Sequence, residues 1–414
     1  MTERTRRWVR YMALAWVLSA VIALGVYATY TTFTSRFPGA NDFFSRWVGG
    51  CALLCEGENP YSQAVTRRIQ MGMYGRPAMP TEDQVAFAYP LYSLFFFFPL
   101  CLVQEYAWVQ AIWLWFLLVV LLAAIILWMR VIEWHPHRCL WVVTLLWTMF
   151  MYHSFRALIL GQFSLVVLLA LVLAIGSLKQ GCDGWAGFFL ALATVKPQLI
   201  YLAIPWILFW AAGQRRWRLW SSFGLSMVAL VAFPMILEPL WVPDFVRQVL
   251  NYPSYTVYGS LTWMIFQYGL NLGRGVELAI SVILAVGGLA VVWRYRHGTW
   301  EQMLWTLGVL LLLTNFFTPR IATTNYVLLI PYALWGFMCI QSRWKQGGPW
   351  VVIAFEILSL AGLWILFLAT IQGNFEQVPA YLPFPLVMAL LLLFLWKSAV
   401  HQPSSSHRTR VEPD

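Results

Sequence analysis

Charge is scarce in this 414-residue chain: Asp, Glu, Lys and Arg together make up 11% of it, and only 17 residues are acidic. Soluble domains carry about a quarter of their residues charged, so the composition excludes one. Histidine and cysteine are sparse too, with 6 of each. Cys51 and Cys55 stand at i, i+4, a spacing that suits a disulfide within one helix poorly, and no His/Cys cluster lies near to complete a metal site. The six cysteines therefore read as small apolar residues, and His135-Pro136-His137 as a turn. No glycine-rich nucleotide-binding loop is present, and no internal repeat is clear enough to suggest a transporter built from two halves.

What the chain has instead is apolar length. It is 61% hydrophobic with a mean hydropathy of +0.68, the composition of an all-α polytopic membrane protein. The net charge of +10 then reflects basic cytoplasmic loops rather than a nucleic-acid partner. Basic clusters recur between apolar runs: Arg4 to Arg10, Arg130 to Arg138, Lys179, Arg215 to Arg218, Arg294 to Arg296, Arg343 to Lys345 and the C-terminal tail. Placing all of them inside satisfies the positive-inside rule. It yields about twelve spans, from 11–31 and 107–129 to 350–370 and 383–398, in a cytoplasmic membrane with both termini cytoplasmic. The first run follows four arginines but is too long for a cleaved signal and reads as a retained span. Residues 1–398 form one transmembrane domain, and the Ser-rich 399–414 a disordered cytoplasmic tail.

Two outer loops follow from this path. The first, 32–106, opens with an amphipathic stretch from Asp42 to Cys55 and a turn at Gly57–Tyr61. It closes with the run 87–103, whose Tyr89-Pro90 and Phe98-Pro99 mark a partly buried juxtamembrane segment, since a thirteenth span would invert every later loop. The second, 238–275, is rich in aromatics, among them Trp241, Tyr252, Tyr255, Tyr258 and Trp263.

On this topology Asp42, Gln162, Lys196 and Arg320 converge on the outer face, with Asn315 and Asn325 near Arg320. Ionisable residues at membrane depth are costly and mark functional sites. A carboxylate can take the proton of an attacking hydroxyl, as in inverting sugar chemistry. Arginine and lysine can hold a leaving phosphate, Arg through its fork and Lys as a point charge. Gln162, Tyr61 and Tyr89 could line a sugar or acceptor pocket. Glu356 lies apart, within the eleventh span, as a helix-pairing residue.

Short motifs accompany these residues: Asp42-Phe43 after the first span, Gly57-x-Asn59-Pro60-Tyr61, Ala88-Tyr89-Pro90 before a run ending in Pro99-Leu100, Gly161-Gln162, Lys196-Pro197 and Thr318-Pro319. In this order and spacing the chain, over residues 10–345, resembles the GT-C membrane glycosyltransferases. Within them it resembles the polyprenol-phosphate-mannose-dependent mannosyltransferase-like group, glycosyltransferase family 87. The resemblance implies a GT-C fold with outer-face juxtamembrane helices, a polyprenyl-monophosphate sugar donor with mannose as the expected sugar, and inversion, with Asp42 as general base. It also implies that Lys196 and Arg320 hold the donor phosphate. Many members carry histidine a few residues after the Ser/Thr-Pro. Here the stretch Arg320–Tyr326 has none, so either Arg320 or Asn325 takes over that contact or the donor differs.

The expected protein is thus a hexosyltransferase acting on a glycolipid, polysaccharide or protein acceptor, without cofactor or metal. The alternative is a non-enzymatic flippase or transporter of lipid-linked glycans, which should show a polar path through the whole bilayer. A ligase moving whole glycans would call for a larger outer loop.

Overall fold

Long apolar runs uninterrupted by proline become helices, because only an intrasegment ladder satisfies backbone polar groups away from water. The computed structural model describes residues 3–80, 82–251, 259–373 and 376–401, and among these the chain is helical with no β-strand. Helix α1 (Glu3–Thr29) leads into the first loop, which holds α2 (Asn41–Glu56) and α3 (Gln63–Tyr74). Next come α4 (Tyr106–Val131), α5 (Arg138–Phe150), α6 (Tyr152–Ile159), α7 (Ser164–Lys179), α8 (Asp183–Ala193), α9 (Ala203–Gly213) and α10 (Trp217–Ala232). The short α11 (Trp241–Asn251) and α12 (Leu261–Trp263) precede α13 (Gly273–Tyr295), α14 (Trp300–Phe317), α15 (Ile330–Arg343) and α16 (Gly348–Thr370). A single turn, α17 (Val378–Tyr381), leads into α18 (Pro383–His401).

Among the described residues, seven helical stretches are long and apolar enough to cross a membrane, or eight if α5 and α6, bent by 53° at Met151, make one span. The other segments expected to span fall on α7, α8, α9 and α14. The first three are only 16, 11 and 11 residues long, and α14 carries Glu301 and Asn315. An 11-residue helix rises about 16 Å, roughly half the hydrocarbon thickness. The run 87–103 forms no spanning helix. Its prolines leave two 3₁₀ turns, Leu91–Phe96 and Phe98–Leu102.

Burial sorts the helices. The apolar stretch of α1 is 0% buried within the protein, whereas that spanning Thr323–Arg343 is 83% buried. Central α15 packs against α4, α16 and α18. Four of the buried tryptophans illustrate how the core is held, each indole N–H finding an acceptor on another segment. Trp113 donates to Gly161 O (3.0 Å), Trp128 to Pro331 O (2.5 Å), Trp147 to Ser359 Oγ (2.9 Å) and Trp206 to Met303 O (3.2 Å). Glu356 is buried on α16, which packs against α5, in keeping with a residue between helices.

One expectation is corrected in the first loop. Cys51 is not an apolar filler. It is disulfide-bonded to Cys101, 50 residues on. Spacing along α2 rules out pairing with Cys55, but it says nothing of the 3₁₀ turn that folds back onto α2. Trp47 Nε1, one turn before Cys51, donates to Leu100 O at 3.1 Å and holds the same two segments together. His137 caps α5, accepting from Leu140 N, and the His-Pro-His stretch is the irregular entry to that helix. Tyr252, Tyr255 and Tyr258 lie outside the described residues, as does the expected tail from residue 402 on. Residues 399–401 continue α18.

Candidate functional site

Asp42 sits in the first turn of α2, where unpaired backbone N–H groups and the helix dipole favour a carboxylate. The entry to that helix is built tightly. Ala40 adopts a left-handed φ of 50°, its N–H donates to Ile159 O (3.1 Å), and Tyr106 OH donates to its carbonyl (3.0 Å). Phe43 stacks on Trp113, with ring centroids 4.2 Å apart. The loop after α6 thus lies directly against the start of α2, and Gly161 permits it. Its φ is +70°, and a Cβ there would stand 2.6 Å from Phe43 Cβ and 3.3 Å from Ala40 Cβ.

This approach delivers Gln162 between two charges. Its Nε2 donates to Asp42 Oδ2 at 2.5 Å, and its Oε1 accepts from Lys196 Nζ at 2.6 Å. A carboxamide can serve both neighbours at once, donating to an anion through its NH₂ and accepting from a cation through its oxygen. Lys196 also donates to Asn325 Oδ1 at 3.0 Å and is only 5% exposed. Its place is set by Pro197, which forces the preceding residue out of helical geometry (φ −131°, ψ 76°) and ends α8. Thr318 fastens this break to the end of α14, donating to Gln198 O (3.2 Å) and Thr314 O (2.6 Å). Asn325 comes from a 3₁₀ helix, Thr323–Leu329, leading into α15. Four residues from four separate segments therefore form one chain: Asp42, Gln162, Lys196, Asn325.

The other expected residues lie around that chain. Arg320 pairs with Asp83 of the first loop, Nη1 to Oδ2 at 2.8 Å, with both side chains about one-third exposed (33% and 31%). Asn315 uses its Nδ2 within α14, donating to Leu311 O. Tyr61 donates to Tyr89 O at 2.7 Å. Burial, with Asp244 nearby, pushes the Tyr61 phenol well above its ordinary value, which keeps it a neutral donor. The Gly57–Tyr61 turn follows the left-handed C-cap at Gly57 (φ +70°). Asn59 there donates to Asp244 Oδ2 of α11 at 2.8 Å, joining the two loops.

Sequence reasoning passed over three residues. Arg46 follows Asp42 by one turn of α2, and its guanidinium lies 4.3 Å from the Tyr89 ring centroid. The i, i+4 spacing was the available signal. Asp83 stands next to Glu82 in a loop, with nothing local to single it out. Glu376 lies between α16 and α17 and is nearly buried. It accepts from Tyr152 OH (2.6 Å) and from Thr323 Oγ1 (2.8 and 2.9 Å), with Arg156 Nε 2.8 Å away as an ion pair.

A model of glycosyltransferase family 87 matches residues 87–319, more than half of the chain. The chain belongs to glycosyltransferase family 87. It is therefore a glycosyltransferase with several apolar helices of membrane-spanning length. No curated protein and no solved structure gave a match. The family-87 match takes in Tyr89, Gln162 and Lys196 and ends at Pro319, one residue before Arg320. Asp42 and Asn325 lie outside it, but the hydrogen bonds from Gln162 and Lys196 run to them.

Proposed function

We propose that this family-87 protein moves one hexose, with mannose as the expected sugar, from a polyprenyl-phosphate donor to a glycolipid, polysaccharide or protein acceptor. In this reading it has a twelve-span GT-C architecture in the cytoplasmic membrane, both termini are cytoplasmic, and the site faces outward. The observation that carries the reading is the Asp42–Gln162–Lys196–Asn325 chain, which sets a carboxylate beside a buried ammonium.

The acceptor hydroxyl attacks the anomeric carbon, and Asp42 takes its proton as the new C–O bond forms. Gln162 occupies Asp42 Oδ2 and leaves Oδ1 for the acceptor. The bond from the anomeric carbon to the phosphate oxygen breaks on the opposite side, and the electron pair leaves with the polyprenyl phosphate. The sugar inverts. Lys196, Asn325 and Arg320 meet the developing phosphate charge, where fixed donors in a water-poor site act most strongly. Gln162, Tyr61 and Tyr89 border the sugar or acceptor.

Two features favour the outward face. The Cys51–Cys101 disulfide suits an oxidising compartment. The far ends of the same helices carry basic residues held in ion pairs, Lys179 with Glu133 (2.7 Å) and Arg216 with Asp183, as cytoplasmic loops do. The linked polar groups sit at helix ends and breaks on one side rather than along a path through the bundle, which favours transfer over flipping.

The test is transfer from a radiolabelled polyprenyl-phosphate hexose in proteoliposomes with candidate acceptors. Asp42→Asn should lower turnover by about 10²–10⁴-fold, the range for loss of a general base. Unchanged turnover would remove Asp42 from that role.

A further inference from the structure

Arg46 and Arg320 both lie within electrostatic reach of Lys196, and the three cations differ in how far the protein already uses them. Arg320 is paired with Asp83. Lys196 donates to two carboxamides. Arg46 faces no carboxylate among the described hydrogen bonds and ion pairs. Its Nη1 donates to the buried Ser45 hydroxyl at 2.6 Å, one face of its fork rests on the Tyr89 ring, and its Nε is buried with no partner at all. A buried N–H without an acceptor is uncommon and calls for an explanation, and a ligand that completes the guanidinium is one.

The surroundings fix what that ligand is. Arg46 lies within electrostatic reach of Lys196, which also feels Asp42 and Arg320. Tyr89, beneath the guanidinium, packs against Phe163, the residue after Gln162 (centroids 5.2 Å apart). Tyr89 is itself held through its carbonyl by Tyr61. The fork is therefore braced on an aromatic plate beside the proposed base, and a planar fork with a free edge matches phosphate oxygens.

We infer that Arg46 binds the anionic phosphate of the polyprenyl carrier and is the principal cation for it, ahead of Arg320. This rests on the donor reading above. Arg46 replaces neither the base nor Lys196. It holds the phosphate on the α2 side, one helical turn from the carboxylate, so that the anomeric carbon faces Asp42.

The test measures binding directly, apart from transfer. Purified protein is titrated with farnesyl phosphate, with farnesol and with inorganic phosphate, and followed by tryptophan fluorescence. The wild type should bind farnesyl phosphate more tightly than either of the other two. Arg46→Gln should weaken farnesyl phosphate binding by about 10–100-fold, the worth of one charge-assisted contact, and leave farnesol unchanged. Arg46→Lys, which keeps the charge but not the fork, should fall between them and decides the matter if Arg46→Gln does not fold. Arg68→Gln, at an exposed ion pair with Glu56, should match the wild type. Wild-type affinity for farnesyl phosphate in both Arg46 variants would overturn the assignment, as would equal wild-type binding of phosphate and alcohol. The expected pattern in a protein without transfer activity would sink the transferase reading but not the phosphate site.

Discussion

Gln162 Nε2 donates to Asp42 Oδ2 at 2.5 Å across 120 residues of sequence. The same carboxamide accepts from Lys196, so it separates an acid and a cation that would otherwise neutralise each other directly. A direct ion pair would leave Asp42 a poorer proton acceptor. Gln162→Leu removes both hydrogen bonds and leaves the buried Lys196 and the partly buried Asp42 without a shared partner, a loss of about 1–3 kcal/mol for the lysine. Turnover should fall by about tenfold or more with donor KM changed less. A kinetic series with the full-length protein in liposomes checks this, and equal values for wild type and variant would show that the bridge is idle.

Gly161→Ala should be harmful for a separate reason. A methyl group would meet Phe43 Cβ at 2.6 Å, in a left-handed backbone region that costs an alanine about 1–2 kcal/mol. Gly184→Ala is the control, since nothing lies within 4 Å of its added Cβ. Thermal unfolding in detergent should show a lowered midpoint for the first and little change for the second.

The Cys51–Cys101 bond closes a loop of 50 residues, worth roughly 4 kcal/mol as an upper figure on chain-entropy arguments. Tryptic mapping without reductant should recover the two cysteines in one linked species, while Cys55, Cys139 and Cys182, which are exposed, alkylate. Recovery of Cys51 as an alkylated monomer would refute the pairing. Cys51→Ala should lower the unfolding midpoint without touching Asp42.

Glu376 gathers two hydroxyls and Arg156 around one nearly buried carboxylate. Thr323, one of those partners, precedes Asn325 by two residues. Glu376→Ala strands Arg156 and should destabilise by about 3–5 kcal/mol. Glu376→Gln, which can still accept from Tyr152 and Thr323, should cost less. If both substitutions left the unfolding midpoint unchanged, the cluster would not hold the segment before α15.

Much of this protein was readable along the chain. Apolar runs of membrane length, basic clusters between them and prolines at 197 and 319 act locally, because backbone satisfaction and proline geometry do not depend on distant neighbours. They located the helices, the break at Lys196 and the short motifs around Asp42, and Gln162, Lys196 and Asn325 stood out as polar residues in apolar company. How those residues pair was a tertiary matter. Arg320 was expected on the same face as Lys196, but nothing along the chain foretold its ion pair with Asp83. Cys51 looked inert on its own helix, yet a 3₁₀ turn brings Cys101 to it. Arg46 and Glu376 took their meaning from rings and hydroxyls far off in sequence. Side-chain pairing needs atoms within about 3 Å, and periodicity along one helix carries no record of which other segment arrives there. The sequence thus determined which elements form and where charge sits among them. Packing alone decided which acid meets which base, and so placed Gln162, rather than a direct ion pair, between Asp42 and Lys196.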